Sequence, residues 1–164
     1  MNISHDEFSS YYLPYIQLAA NQDIVLGLKE NVISVVDFYQ NIPSEKLDHA
    51  YAEGKWTPKD ILLHIIDTER VFVYRAMRIA RQDKTEMVGF EQDDYVDAGK
   101  ANNRTINSLI EEYKAVRNAT IVLFDSFSDE ELKAKDDGQD QEPRNYHPPD
   151  SPVRRIFENG LEVD

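Results

Sequence analysis

The apolar residues of this chain recur at helical spacing in three stretches, and the longest organises the rest. It runs from Trp56 to Ala80. Ile61, Leu62, Ile65, Ile66, Val71, Phe72, Val73, Ala76, Met77, Ile79 and Ala80 cover a wide arc, which predicts a helix embedded between several neighbours. Thr57 is placed to cap it, Pro58 suits the first helical position, and Asp60 sets negative charge against the positive end of the helix dipole. No Gly or Pro interrupts it before Gly89. An earlier helix is predicted from Ile24, Leu28, Val32, Val35, Val36 and Tyr39, with Asn21 as its cap and Ile42-Pro43 as its end. A later one follows from Ile106, Leu109, Ile110, Tyr113, Val116, Arg117, Thr120, Leu123, Phe124 and Phe127, with Asn102 or Asn103 as cap.

Between these stretches the pattern predicts connections. Ser44 and Glu45 can start one extra turn, and Ser128 to Glu131 has capping-box spacing for another. Residues 85–103 read as a long loop without regular pattern, of the kind that is functional or folds into a compact cap. Before the first helix, Phe8, Tyr11, Tyr12, Leu13, Tyr15, Ile16 and Leu18 suggest an arm whose aromatics cover one end of the core. Past Lys135 the chain turns polar and acidic and carries Pro143, Pro148, Pro149 and Pro152, the composition of a disordered tail. The division is a helical domain over 1–135 and a tail over 136–164. No stretch alternates as a strand would, so the fold class is all-α.

Composition narrows the function classes. At 164 residues one domain with a real core is the expectation. A formal charge of −13 argues against a nucleic-acid binder, which needs a basic face. The absence of cysteine removes disulfides, thiolate metal sites and a cysteine nucleophile. The opening residues do not resemble a signal or transit peptide, and no apolar run reaches membrane-span length. A soluble, cytoplasmic protein without membrane or nucleic-acid partners follows as the expectation.

The chemistry-bearing candidate is His64, an imidazole inside the apolar arc of the long helix, with Asp67 and Thr68 one turn further on the same face. A lone buried His is more often a hydrogen-bonded core residue than a metal ligand. Asp67 could orient its ring or pair with Arg70 or Arg75. His5 and His49 lie in polar surroundings and read as surface residues; His147 falls in the Pro-rich tail. Trp56 reads as a core plug, Glu69 and Arg70 as salt-bridge formers with neighbours on their own helix such as Arg75, and Glu91 to Asp94 as a solvated acidic loop. No nucleophile elbow and no phosphate-cradling Gly-rich loop occurs, so the catalytic residues are unknown and no organic-cofactor site is expected.

Tyr51, Gly54-Lys55-Trp56-Thr57-Pro58-Lys59-Asp60, His64-Ile-Ile-Asp67-Thr68-Glu69-Arg70 and Tyr74 to Arg81, with Gly89-Phe90, Gln92 to Val96 and Glu112-Tyr113 beyond, resemble the DinB-like superfamily over roughly residues 11–134. The resemblance implies an up-down-down-up four-helix bundle, acting as a metal-dependent hydrolase or thiol-transferase relative. It also implies a divalent ion, nickel or zinc, held by three histidines, one of which maps to His64. The other two would lie on a fourth helix, yet residues 136–164 offer only His147. The expected fold is therefore a bundle whose fourth helix is missing, degraded or replaced, with an incomplete metal site. A shifted reading frame beyond Lys135 would explain so abrupt a change. The alternative functions are a metal-free binding or scaffold protein, in which a homodimer covers the apolar face left open, or a frameshifted product. A small-molecule substrate is compatible with either of the first two.

Overall fold

The computed structural model describes residues 23–134 together with Leu13 and Gln17, and among these every regular element is helical. Three long helices dominate: α1 (Ile24–Asn41), α2 (Pro58–Ala80) and α4 (Ile106–Asp125). Two short ones join them, α3 (Gln92–Gly99) and α5 (Asp129–Leu132), with 3₁₀ turns at Ser44–Lys46 and Ala101–Asn103. The all-α expectation holds. The N-terminal arm, the tail over 136–164, His5 and His147 lie outside the described residues.

Helix starts follow the side chains that can serve free backbone N–H groups. Asp23, not Asn21, caps α1, its carboxylate accepting from Leu26 N–H at 2.9 Å. At α2 the expected cap is present as a reciprocal box. The Thr57 hydroxyl accepts from Asp60 N–H at 3.2 Å, and Asp60 Oδ2 accepts from Thr57 N–H at 3.0 Å. Thr105 caps α4, accepting from Ser108 N–H, because Asn102 and Asn103 are taken up in the preceding 3₁₀ turn. Ser128 and Glu131 form the second capping box, as their spacing predicts.

Residues 85–103 are only partly the loop the pattern suggested. Asp93 and Asp94 sit in the first turn of α3, where negative charge meets the unsatisfied N–H groups, so an acidic run that reads as solvated loop begins a helix. Its last residue, Gly99, packs against α2, and a Cβ there would stand 2.6 Å from Leu63 Cδ2. Lys100 then takes a left-handed conformation (φ 49°) to turn the chain into Ala101.

The directions of the helices follow from their contacts. Asn102, just ahead of α4, lies 2.9 Å from Thr57 at the start of α2, and Arg81 past the end of α2 reaches Phe127 and Glu131 past the end of α4. These two helices are parallel. Asn31 in α1 meets Tyr113 and Arg117, whereas Tyr39 near its C-terminus joins the cluster holding Leu62 and Leu109, so α1 is antiparallel to both. An up-down-down course results, with 81–105 as the crossover. Helix α4 packs against α1 and α2 alike. The core gathers there: Tyr39, Leu62, Leu63, Ile66, Ala101, Leu109, Ile110 and Tyr113 are all buried.

Candidate functional site

Helix α2 presents two polar centres on different faces. The first is His64, half-buried near the N-terminal end. The Trp56 ring lies against it, with centroids 4.9 Å apart and planes inclined at 47°. Trp56 is thus a neighbour of the imidazole and only partly buried, not the plug its position suggested. One turn along, Thr68 Oγ1 stands 3.4 Å from His64 Nδ1, as expected for residues four apart on a helix. Burial lowers the imidazole's pKa from its ordinary value, opposed by the charges of Asp67 and then Asp93. The site therefore joins α2, the segment before it and α3. The sequence suggested Asp67 but not Asp93, because the approach of α3 depends on a fit at Gly99 that no local pattern encodes.

Asp67 does not hold the ring. Its carboxylate accepts from Arg70 at 3.1 Å, and Arg70 also donates to Glu112 of α4 at 2.6 Å. Arg104 makes a second ion pair with Glu112. Burial alone would raise the Glu112 pKa, but hydrogen bonds from Arg104 and Arg70 hold it below the usual range. His49 is exposed, as expected, in the connection before α2.

The second centre lies deeper. Glu69 Oε1 accepts from Arg117 Nε at 2.8 Å and from the Thr120 hydroxyl at 2.7 Å. Arg117 Nη1 also donates to Asn31 Oδ1 at 2.9 Å, and its guanidinium lies 5.3 Å from the Tyr113 ring centroid. The Tyr113 hydroxyl donates to the same Asn31 oxygen at 3.3 Å, and burial pushes its phenol up to about 12. The side chains of Glu69 and Arg117 are 9% and 10% exposed, so this is a buried pair bridging three helices. Pairing of Glu69 with a neighbour on its own helix was expected; its partner is instead 48 residues away. A signal existed: Arg117 falls within the apolar stripe of α4, and an inward charge requires an opposite one facing it.

The metal site implied by the family resemblance needs three imidazoles. Among the described residues no group of three His, Cys, Asp or Glu side chains could hold an ion. Their imidazoles are His49, exposed, and His64, half-buried. This donor set does not fit a three-histidine ion, so no chemistry at His64 is derived through one. An open cavity of about 340 Å³ lies elsewhere, lined by Ala80, Arg81, Gln82, Ser128, Glu130 and Glu131. It sits roughly 24 Å along α2 from His64 at a rise of about 1.5 Å per residue.

Two parallel helices joined by a long crossover, with an antiparallel third and an imidazole near one end, define a small all-α bundle of the up-down-down type. The chain belongs to the DinB superfamily, whose family model matches residues 34–155. No curated protein and no solved structure matches it significantly.

Proposed function

We propose that this DinB-superfamily chain is a cytoplasmic binding module that takes a small molecule at the His64 face without a resident metal ion. The observation that carries this reading is the makeup of the face. One half-buried imidazole lies beside the indole of Trp56, under the fields of Asp67 and Asp93, and among the described residues no group of side chains completes a metal centre with it. Desolvation favours the neutral ring, which offers one donor and one acceptor to a bound molecule while the indole offers an apolar wall. We also propose that the module is a homodimer. Leu26 and Ile33, seven residues apart on α1, are 53% and 63% exposed, a pairing better suited to a second copy than to water.

The second reading is the metal-dependent DinB-type enzyme, a hydrolase or thiol transferase using nickel or zinc. The position of His64 in a family often associated with metal favours it. Elemental analysis of the purified full chain, with its mass by light scattering, separates the two. Substoichiometric metal, unchanged by His64→Ala, supports the binding module. About one divalent ion per chain, lost in His64→Ala, overturns it in favour of the enzyme. A dimer that dissociates in Ile33→Glu supports the interface; a wild-type monomer refutes it.

A further inference from the structure

The two carboxylate oxygens of Glu69 are served unequally. Oε1 accepts from both Arg117 Nε and the Thr120 hydroxyl. Oε2 is buried and has no hydrogen-bond partner among the described residues, in a side chain only 9% exposed. A guanidinium facing a carboxylate commonly closes a fork of two parallel bonds. Here Nε alone is bonded to Glu69, while Nη1, on the far side of the guanidinium from that carboxylate, is bonded to α1. Arg117 Nη1 is directed to Asn31 Oδ1 at 2.9 Å and towards the Leu28 carbonyl at 3.5 Å, and the Tyr113 hydroxyl fixes Asn31 in turn. The guanidinium is therefore held by groups of three helices together.

We propose that Glu69 Oε2 anchors an internal water molecule at the junction of α1, α2 and α4. The charge of the surroundings selects the ligand class. Arg117 already neutralises the carboxylate from 2.8 Å and would repel a cation, so the missing partner is a neutral donor. A carboxylate oxygen withdrawn from solvent is seldom left unserved in a folded protein, and water is the usual donor where backbone and side chains fall short. Such a molecule needs two to four polar partners. The Thr120 hydroxyl and the Arg117 guanidinium, both at the same carboxylate, supply candidates beyond Oε2. The water would join helices that the side chains bridge only in part.

The test is a high-resolution crystal structure of the full chain, paired with oxygen-17 relaxation dispersion of water in solution. The expected result is a density peak about 2.5–3.0 Å from Glu69 Oε2. In solution the wild type should hold one more long-residence water than the Glu69→Met/Arg117→Met double variant. A structure in which Arg117 closes both prongs on Glu69, with no peak at Oε2, overturns the proposal. Equal numbers of long-residence waters in the two folded proteins also overturn it. If the double variant does not fold, the wild-type density decides alone.

Discussion

Replacing Arg117 with Met tests how far the buried pair holds the bundle together. The substitution removes the 2.8 Å bond to Glu69, the 2.9 Å bond to Asn31 and the guanidinium face over Tyr113, while leaving a comparable length of apolar side chain. Glu69 then keeps Thr120 as its donor at one oxygen, with the other already unpartnered among the described residues. Because both side chains are about nine-tenths buried, solvent screening does little to soften the loss. Leaving one member of a buried pair uncompensated costs about 3–5 kcal/mol. For a chain of this size that corresponds to a fall in Tm of roughly 6–20 °C. The double variant Glu69→Met/Arg117→Met should recover most of this, since apolar residues of similar volume commonly replace a buried pair at little net cost. Urea denaturation at pH 7 of the wild type, both single variants and the double variant gives the coupling energy through a double-mutant cycle. If Arg117→Met costs less than about 1 kcal/mol, or the double variant is less stable than either single one, the buried-pair reasoning is wrong.

Four further outcomes are expected. Trp56 is the sole tryptophan and lies against His64, so its fluorescence should follow protonation of that ring with a midpoint below 6.5; a midpoint at or above that value refutes the desolvation argument. With the folded pKa depressed, the unfolded chain binds the proton more readily. The His64 contribution to stability is thus complete above 6.5 and declines as pH falls towards the folded value, a trend that His64→Gln should flatten in urea titrations at pH 7.5 and 5.5. Gly99→Val should force Leu63 to move or lift α3 from α2, weakening the protection of the α3 amides in hydrogen exchange; unchanged protection would mean Leu63 absorbs the side chain freely. Thr57→Ala removes the hydroxyl from the capping box and from Asn102, and should cost about 1–2 kcal/mol in chemical denaturation, with Thr57→Ser restoring most of it.

Periodicity located the helices well because their buried faces are written in consecutive turns: Ile61, Leu62 and Ile66 on α2, and Leu109, Ile110 and Tyr113 on α4. Caps were legible where one side chain serves its own helix, as at Thr57 and Ser128. They were misplaced where neighbouring polar residues competed, as with Asp23 against Asn21 and Thr105 against Asn102. The short helix α3 was hidden because eight residues, half of them acidic or polar, carry little amphipathic signal, and Val96 is its buried contact. His64 could be singled out from its place in the apolar arc. Asp93 could not, since only the crossover brings it near. The Glu69–Arg117 pair was half visible: Arg117 stood out in its stripe and Glu69 read as a salt-bridge former, but the two lie 48 residues apart and no local spacing joins them.

The packing of α4 against both other long helices also sets an order in time. The faces of α1 and α2 that close on one another through α4 are finished on the ribosome when Ala80 has been added, but Asp125 follows about 45 residues later. At about 5–20 residues per second that interval is roughly 2–9 s, during which Leu62, Ile66 and the Glu69 carboxylate wait without their main partner. The nascent chain is therefore most exposed to misassociation between the completion of α2 and that of α4, and a pause placed between the crossover and α4 would lengthen that exposure.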